Sequence, residues 1–246
     1  MDYDANGNVT SITDPLSKIT WTQYNSWNEP IKVTDALGNN KDDTQHTTTT
    51  AYTDLGQAST VTSPPAANGY ASTTQYLYDN LGRKTETIAP DPATGVASKD
   101  DVDCPKTFLA YDANGNVIST TEPLNRTTSF ANDGLNRRVQ TIDAIGNTTA
   151  TRYDAQGNVI ATTDQLGRKA TYQYDNLGRT TETIKPDPQT GQPSGSSAIT
   201  YDGYDLKGNL KFATTPPSAD TASQGPGDPR YTTWYFYDAL KKTGHH

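Results

Sequence analysis

Six segments of this chain read Tyr-Asp-x-x-Gly-Asn/Arg without exception, beginning at Tyr3, Tyr78, Tyr111, Tyr153, Tyr174 and Tyr204. Where the array is clean the spacing is fixed: Asp112, Asp133, Asp154 and Asp175 are each 21 residues apart. A tyrosine-free turn lies midway, with copies beginning at Asp14, Asp35, Glu122, Asp143 and Asp164. Glu122, Asp143 and Asp164 fall 10 residues after Asp112, Asp133 and Asp154, so one repeat is 10 plus 11 residues. A fixed period of this size marks a repeat architecture, in which no single unit can bury a face alone. Degenerate copies begin at Tyr24 (Asn25 and Asn28 replace Asp and Gly), Tyr52 (Thr53 replaces Asp) and Tyr237 (Lys241 replaces Gly). One more sits at Asp133, followed by Gly-Leu-Asn-Arg, with Phe130 as the nearby aromatic.

Each arm carries its own turn chemistry. An Asp opening a turn hydrogen-bonds the backbone N–H two residues on. A Gly three residues later supplies positive φ, as in a type I turn closed by a glycine bulge. This assigns structural turn roles to Asp4 and Gly7, Asp79 and Gly82, Asp112 and Gly115, and Asp143 and Gly146. The same roles fall to Asp154 and Gly157, Asp164 and Gly167, Asp175 and Gly178, and Asp205 and Gly208. The intervening six or seven residues alternate: Tyr172 and Tyr174 share a face, and Val159 and Ala161 share one opposite Ile160 and Thr162. No segment shows sustained apolar spacing of three and four, so no long helix is expected. The prediction is an all-β chain: tandem β-hairpins forming one long twisted antiparallel sheet, stabilised by neighbour contacts and by Tyr, Thr and Val ladders.

One repeat domain is expected over 1–242, with 243–246 a tag remnant, since Gly244-His245-His246 resembles the start of a purification tag. Pro/Gly/Ser-rich insertions near 40–50, 63–73, 89–107, 185–198 and 215–230 break the rhythm. Proline cannot donate to a ladder, so these stretches are placed as loops outside the sheet. A longer duplication repeats Tyr78 to Ile88 at Tyr174 to Ile184, 96 residues on, and both copies run into Pro-Asp-Pro-x-Thr-Gly.

Composition agrees with this reading. Only 32% of the 246 residues are hydrophobic, which is thin for a single core, yet there are 15 Tyr against 4 Phe and 3 Trp. A net charge of −8 disfavours nucleic acid and anionic membrane surfaces as partners. No run of about 18 apolar residues exists, so no membrane insertion is expected. The single cysteine, Cys104, allows no intrachain disulfide.

The residues offer little catalytic chemistry. Asp4 to Asn8 and Asp112 to Asn116 resemble the start of a calcium loop, but position 12 is Pro15 or Pro123 where an EF-hand needs Glu. The turn aspartates could pair for acid–base work, as a hydrolase needs. A backbone-capping role accounts for each of them individually, so a hydrolase is only a remote alternative. His46 is the one histidine outside the C-terminal pair, in a polar loop and without a nucleophile motif. Cys104 follows Asp101-Val-Asp103, acidic neighbours that disfavour a thiolate. No cofactor, no metal site and no enzyme activity are expected. The aromatic pairs Tyr76/Tyr78 and Tyr172/Tyr174, with Trp234 to Tyr237, could stack on sugars, but their recurrence in every full repeat favours ladder packing. Arg83 and Arg179, after turn glycines, are expected on the solvated face.

The tandem Tyr-Asp-x-x-Gly-Asn/Arg array resembles the RHS/YD repeats of bacterial polymorphic toxins, toxin-complex shell proteins, wall-associated proteins and teneurins. The resemblance covers residues 3 to about 242. It implies a β-strip that spirals into a hollow shell, a scaffold or encapsulation role, and a secreted or cell-surface parent. The implied partners are neighbouring repeats or an enclosed toxin domain. Edge-to-edge self-association and a carbohydrate- or partner-binding adhesion role, using exposed tyrosines, are the alternatives. The Asp-Pro pairs Asp91-Pro92 and Asp187-Pro188 continue as Ala/Gln-Thr-Gly in mid-array loops, so the family's aspartyl autoproteolysis is not carried over.

Overall fold

The computed structural model describes residues 1–66, 69–194, 198–214 and 232–237, and the backbone alone at 243–245. The chain divides into two compact units, Met1–Thr127 and Thr128–His246. In the first, strands run β1 Asp2–Tyr3, β2 Val9–Thr13, β3 Ile19–Tyr24, β4 Pro30–Thr34, β5 Thr47–Tyr52, β6 Ala58–Thr62, β7 Thr73–Tyr78, β8 Lys84–Ile88, β9 Lys106–Tyr111 and β10 Val117–Thr121. Each pairs antiparallel with its successor, giving a meander. The second unit opens within β11 Thr127–Asn132. It continues as β12 Arg138–Ile142, β13 Thr148–Tyr153, β14 Val159–Thr163, β15 Lys169–Tyr174, β16 Thr180–Ile184, β17 Ile199–Tyr204, β18 Leu210–Thr214, β19 Thr232–Tyr237 and β20 Thr243–His245. It too is an antiparallel meander from β11 to β20. Among the described residues the only helix is a single 3₁₀ turn, Thr44–His46. The fold is therefore all-β and built from tandem hairpins. The loop around Pro216-Pro217 and the turn at Lys241 lie outside the described residues.

The 10-plus-11 spacing has a structural cause. From β2 to β18, the strand after a tyrosine turn or its Asp133 counterpart has five residues and the strand that follows it has six. Across the tyrosine turns the register slips by one: Tyr153 faces Val159 while Arg152 faces Ala161, leaving Ile160 as an extra residue. The same slip occurs at Tyr3, Tyr24, Tyr52, Tyr78, Tyr111, Asn132, Tyr174 and Tyr204. Across the tyrosine-free turns the register is unbroken, as in Ala161–Thr171, Thr162–Ala170 and Thr163–Lys169. The strict alternation expected over Asn158 to Thr163 is thus interrupted by a β-bulge, which gives the strand a local kink and added twist.

Little of the described chain is buried. Among the described residues the buried apolar ones are Ile88, Cys104 and Ala161, joined by the polar Ser11, Thr34, Asp91, Asp187 and Thr214. Threonine hydroxyls pair across neighbouring strands, at 2.6 Å for Thr34–Thr47 beside the Asp35 turn and 2.9 Å for Thr62–Thr73 at the base of the 63–73 insertion. Turn-tip leucines such as Leu81 and Leu177 project into solvent.

At the turns, Gly7, Gly82, Gly115, Gly157 and Gly178 hold φ between 74° and 96°. Where glycine is missing, Ser17, Asn28, Asn125 and Asn136 take the same left-handed region at φ 58–62°. A Cβ at Gly115 would meet nothing within 4 Å, so a side chain there costs only backbone strain. Gly115→Ala is therefore expected to lose about 1 kcal/mol in urea unfolding, and Gly115→Asn clearly less. Equal losses for the two would contradict the turn geometry.

Candidate functional site

The recurrent constellation is the tyrosine turn itself. Asp154 Oδ1 accepts from the Asn158 N–H at 2.8 Å, and Asp154 Oδ2 accepts from Asn158 Nδ2 at 2.8 Å. Asp4 also takes the Asn6 N–H on Oδ1, with Asn8 on both oxygens. Where the fifth turn residue is Arg, its guanidinium takes the amide's place: Arg83 Nε donates to Asp79 Oδ2 at 2.7 Å and Arg179 Nε to Asp175 Oδ2 at 2.7 Å. The Asn/Arg alternation of the motif is thus one requirement, a donor that closes on the second carboxylate oxygen. The tyrosine-free turns share it, with Asn147 on Asp143 and Arg168 on Asp164. Backbone bonds close the turn, Gly157 N–H to Asp154 carbonyl at 3.2 Å and Asp154 N–H to Asn158 carbonyl at 2.9 Å.

The tyrosine acts on a different repeat. Tyr174 Oη donates to the carbonyl of Val159 at 2.8 Å, and Tyr153 Oη to that of Arg138 at 3.2 Å. Tyr204 reaches Thr180, Tyr111 reaches Lys84, Tyr78 reaches Ala58, Tyr52 reaches Pro30 and Tyr24 reaches Val9. Every acceptor is the first residue after the preceding tyrosine turn, immediately before that turn's bulged residue. The ladder to the next strand has stopped there: β14 pairs with β15 only from Ala161 onward. The hydroxyl meets a carbonyl that the bulge takes out of the ladder, and a carbonyl away from water needs a partner.

A second link runs the other way. Arg83 Nη1 donates to the carbonyl of Asp112 at 3.1 Å and Arg137 Nη1 to that of Asp154 at 3.1 Å, each in the following tyrosine turn. Asn8 reaches Asn28 Oδ1, and Gln57 reaches the Gly82 carbonyl. The guanidinium carbons of Arg83, Arg137 and Arg179 lie 4.7, 4.5 and 4.4 Å from the ring centroids of Tyr111, Tyr153 and Tyr204. The solvated-face expectation for Arg83 and Arg179 is corrected: their side chains are 28% and 27% exposed and clamp two turns together. Sequence reading missed this because the partner tyrosine is 28 or 25 residues away in the chain.

The family described as RHS Repeat matches residues 3–39, 111–152 and 153–190. These stretches, 3–39 and 111–190, are RHS repeats. A search of curated proteins returned no sequence match. The solved TcdB2-TccC3-TEV structure superposes with a TM-score of 0.50 at 12% identity, covering 97% of this chain and 13% of that one. The Photorhabdus luminescens Tc holotoxin pore, carrying a TccC3 mutation, gives a TM-score of 0.49 at 12% identity and the same coverages. The chain thus spans about an eighth of the length of these relatives.

The other sequence-read groups fall in RHS turns and insertions. His46 is half-buried with Nδ1 3.3 Å from Asp43 Oδ2, and no described hydrogen bond joins it to a serine. Tyr172 Oη lies 3.4 Å from Thr162 Oγ1, and the Phe212 and Trp234 rings pack tilted at 50° with centroids 5.2 Å apart. The two Pro-Asp-Pro-x-Thr-Gly loops fold alike. Asp91 and Asp187 are buried, each accepting two loop amides on Oδ1, and Gly95 and Gly191 carbonyls hold the N–H of Thr73 and Lys169. Asp91, Asp101 and Asp103 bring one carboxylate oxygen each within 4.8 Å of one another. That is a thin shell beside the roughly six to eight oxygens calcium takes.

Electrostatics follow from the bonds. Asn side-chain donors, helped by backbone N–H groups, hold Asp4, Asp112, Asp143, Asp154 and Asp205 below the ordinary value of 3.8. The Arg137 and Arg179 side chains do so for Asp133 and Asp175, and the Arg83 backbone N–H followed by its side chain for Asp79. Asp202 goes the other way, raised by burial. A carboxyl depressed in the fold stabilises it above the unfolded value and ceases to as pH falls through the folded value. The melting temperature is therefore expected to be level from pH 7 to 5 and to drop steeply below about pH 4. A melting temperature unchanged down to about pH 3 would show that the turn carboxylates do not couple to folding.

Proposed function

We propose that this chain is a stretch of structural RHS scaffold, part of a β-shell that encloses a toxic cargo polypeptide or part of a bacterial surface structure, in a secreted or surface-displayed protein. The observation that carries the reading is the use of side chains. In the repeats the tyrosine reaches back one turn and the aspartate closes its own, while Asn8, Gln57, Arg83 and Arg137 reach forward one turn. A sheet extended by such links grows by adding identical units, and its stability is a sum of neighbour terms. The partners this suits are further RHS repeats along the array, copies meeting at free sheet edges, or a cargo polypeptide.

This reading assigns the chain no catalysis. Both oxygens of a turn aspartate such as Asp154 are occupied and its pKa is lowered, the reverse of what a general acid near neutral pH requires. Tyr78 and Tyr174, which a sugar could have used, give their hydroxyls to backbone carbonyls. Among the described residues no helix is long and apolar enough to cross a membrane.

In the intact gene product, the polypeptide encoded together with these repeats is expected to resist protease until the repeat sheet unfolds. Cleavage at one rate with the repeats folded and unfolded would overturn enclosure and leave a surface scaffold.

A further inference from the structure

The second tyrosine turn departs from the others in charge. Asn25 stands where the full motif has Asp, and Glu29 where it has Asn or Arg. The local bond survives with its polarity reversed, Asn25 Nδ2 donating to Glu29 Oε2 at 2.6 Å. The forward reach does not survive, because a carboxylate has no proton to give the next turn's carbonyl.

Tyr52 is the following tyrosine here. Its counterparts Tyr111, Tyr153 and Tyr204 each carry a guanidinium over the ring. Among the described residues no cation lies over Tyr52 and no ion pair involves Glu29. The space holds instead a groove of about 590 Å³, lined by Trp27, Glu29, Ile31, Tyr52, Asp54 and Leu55 among others, with no Lys or Arg. Trp27 is 81% exposed, and Asp54 is exposed beside it. A Cβ at Gly56 would come 2.9 Å from Glu29 Oε1, so the glycine leaves that carboxylate oxygen room.

We propose that this groove takes the guanidinium of an arginine side chain presented by a partner segment, seated over Tyr52 and paired with Glu29. The chain itself supplies the precedent, since three of its own arginines occupy the matching position. Two carboxylates and two aromatic rings complement a cation. Arginine suits the site better than lysine, because a planar guanidinium stacks on a ring and bonds a carboxylate by two N–H groups at once. The inference is independent of the scaffold reading, since it concerns one turn and not the array.

The test is ¹⁵N NMR titration of the full chain with a capped Gly-Arg-Gly peptide, its citrulline and lysine counterparts, and maltohexaose. The arginine peptide is expected to shift the Trp27 indole and Gly56 amide saturably, with the citrulline peptide at least about tenfold weaker. Asn25→Asp with Glu29→Arg, which installs the arrangement of the other repeats, is expected to abolish the response while other resonances stay in place. Glu29→Gln, which retains an acceptor for Asn25, is expected to weaken it likewise and serves if the double variant does not fold. Equal response to arginine and citrulline, a response to the oligosaccharide alone, or no response would overturn the proposal.

Discussion

Everything in this sheet depends on what happens to one carbonyl per repeat. A bulge after each tyrosine turn removes a residue from the ladder, and the carbonyl beside it needs a donor. The donor is the hydroxyl of the next tyrosine, which in the clean array lies 15 residues downstream, as Tyr174 does from Val159. The bulge and the tyrosine are therefore two halves of one device. Without the bulge the tyrosine lacks this acceptor, and without the tyrosine that carbonyl loses this donor. This explains why tyrosine is plentiful in a chain with so small an apolar core, and why phenylalanine does not substitute in the full motif. The forward link from Asn8, Gln57, Arg83 and Arg137 adds a second connection to the following turn where it occurs.

The fold was largely legible. The period of 21 and the Asp-x-x-Gly spacing predicted hairpins with type I turns and left-handed glycines, and the strands lie between those turns. The bulge was hidden in plain view. The unequal arms of 10 and 11 residues encode it, but a one-residue difference is also what a longer loop would produce. The inter-repeat bonds were not legible at all. Tyr153 to Arg138 and Tyr52 to Pro30 span 15 and 22 residues, and nothing in local pattern says which carbonyl a side chain meets.

The insertions show the same limit. Pro-Asp-Pro-x-Thr-Gly reads as a loop because proline cannot join a ladder. That Asp91 and Asp187 would be buried, their loops tied back to Thr73 and Lys169, depends on where the sheet end lies. The departures at Asn25 and Glu29 were visible as letters. Their meaning came only when the other repeats showed what a +4 side chain does, since a swap that preserves the local bond looks conservative until its second partner is known.

The central claim is that a tyrosine holds the repeat before it, not its own. Native-state hydrogen exchange of Tyr174→Phe tests this directly. Losing one hydrogen bond of about 1 kcal/mol should speed exchange roughly fivefold in the hairpin of β13 and β14, leaving β17 and β18 unchanged. Faster exchange confined to the Asp175–Arg179 turn, or spread evenly over the unit, would contradict the account.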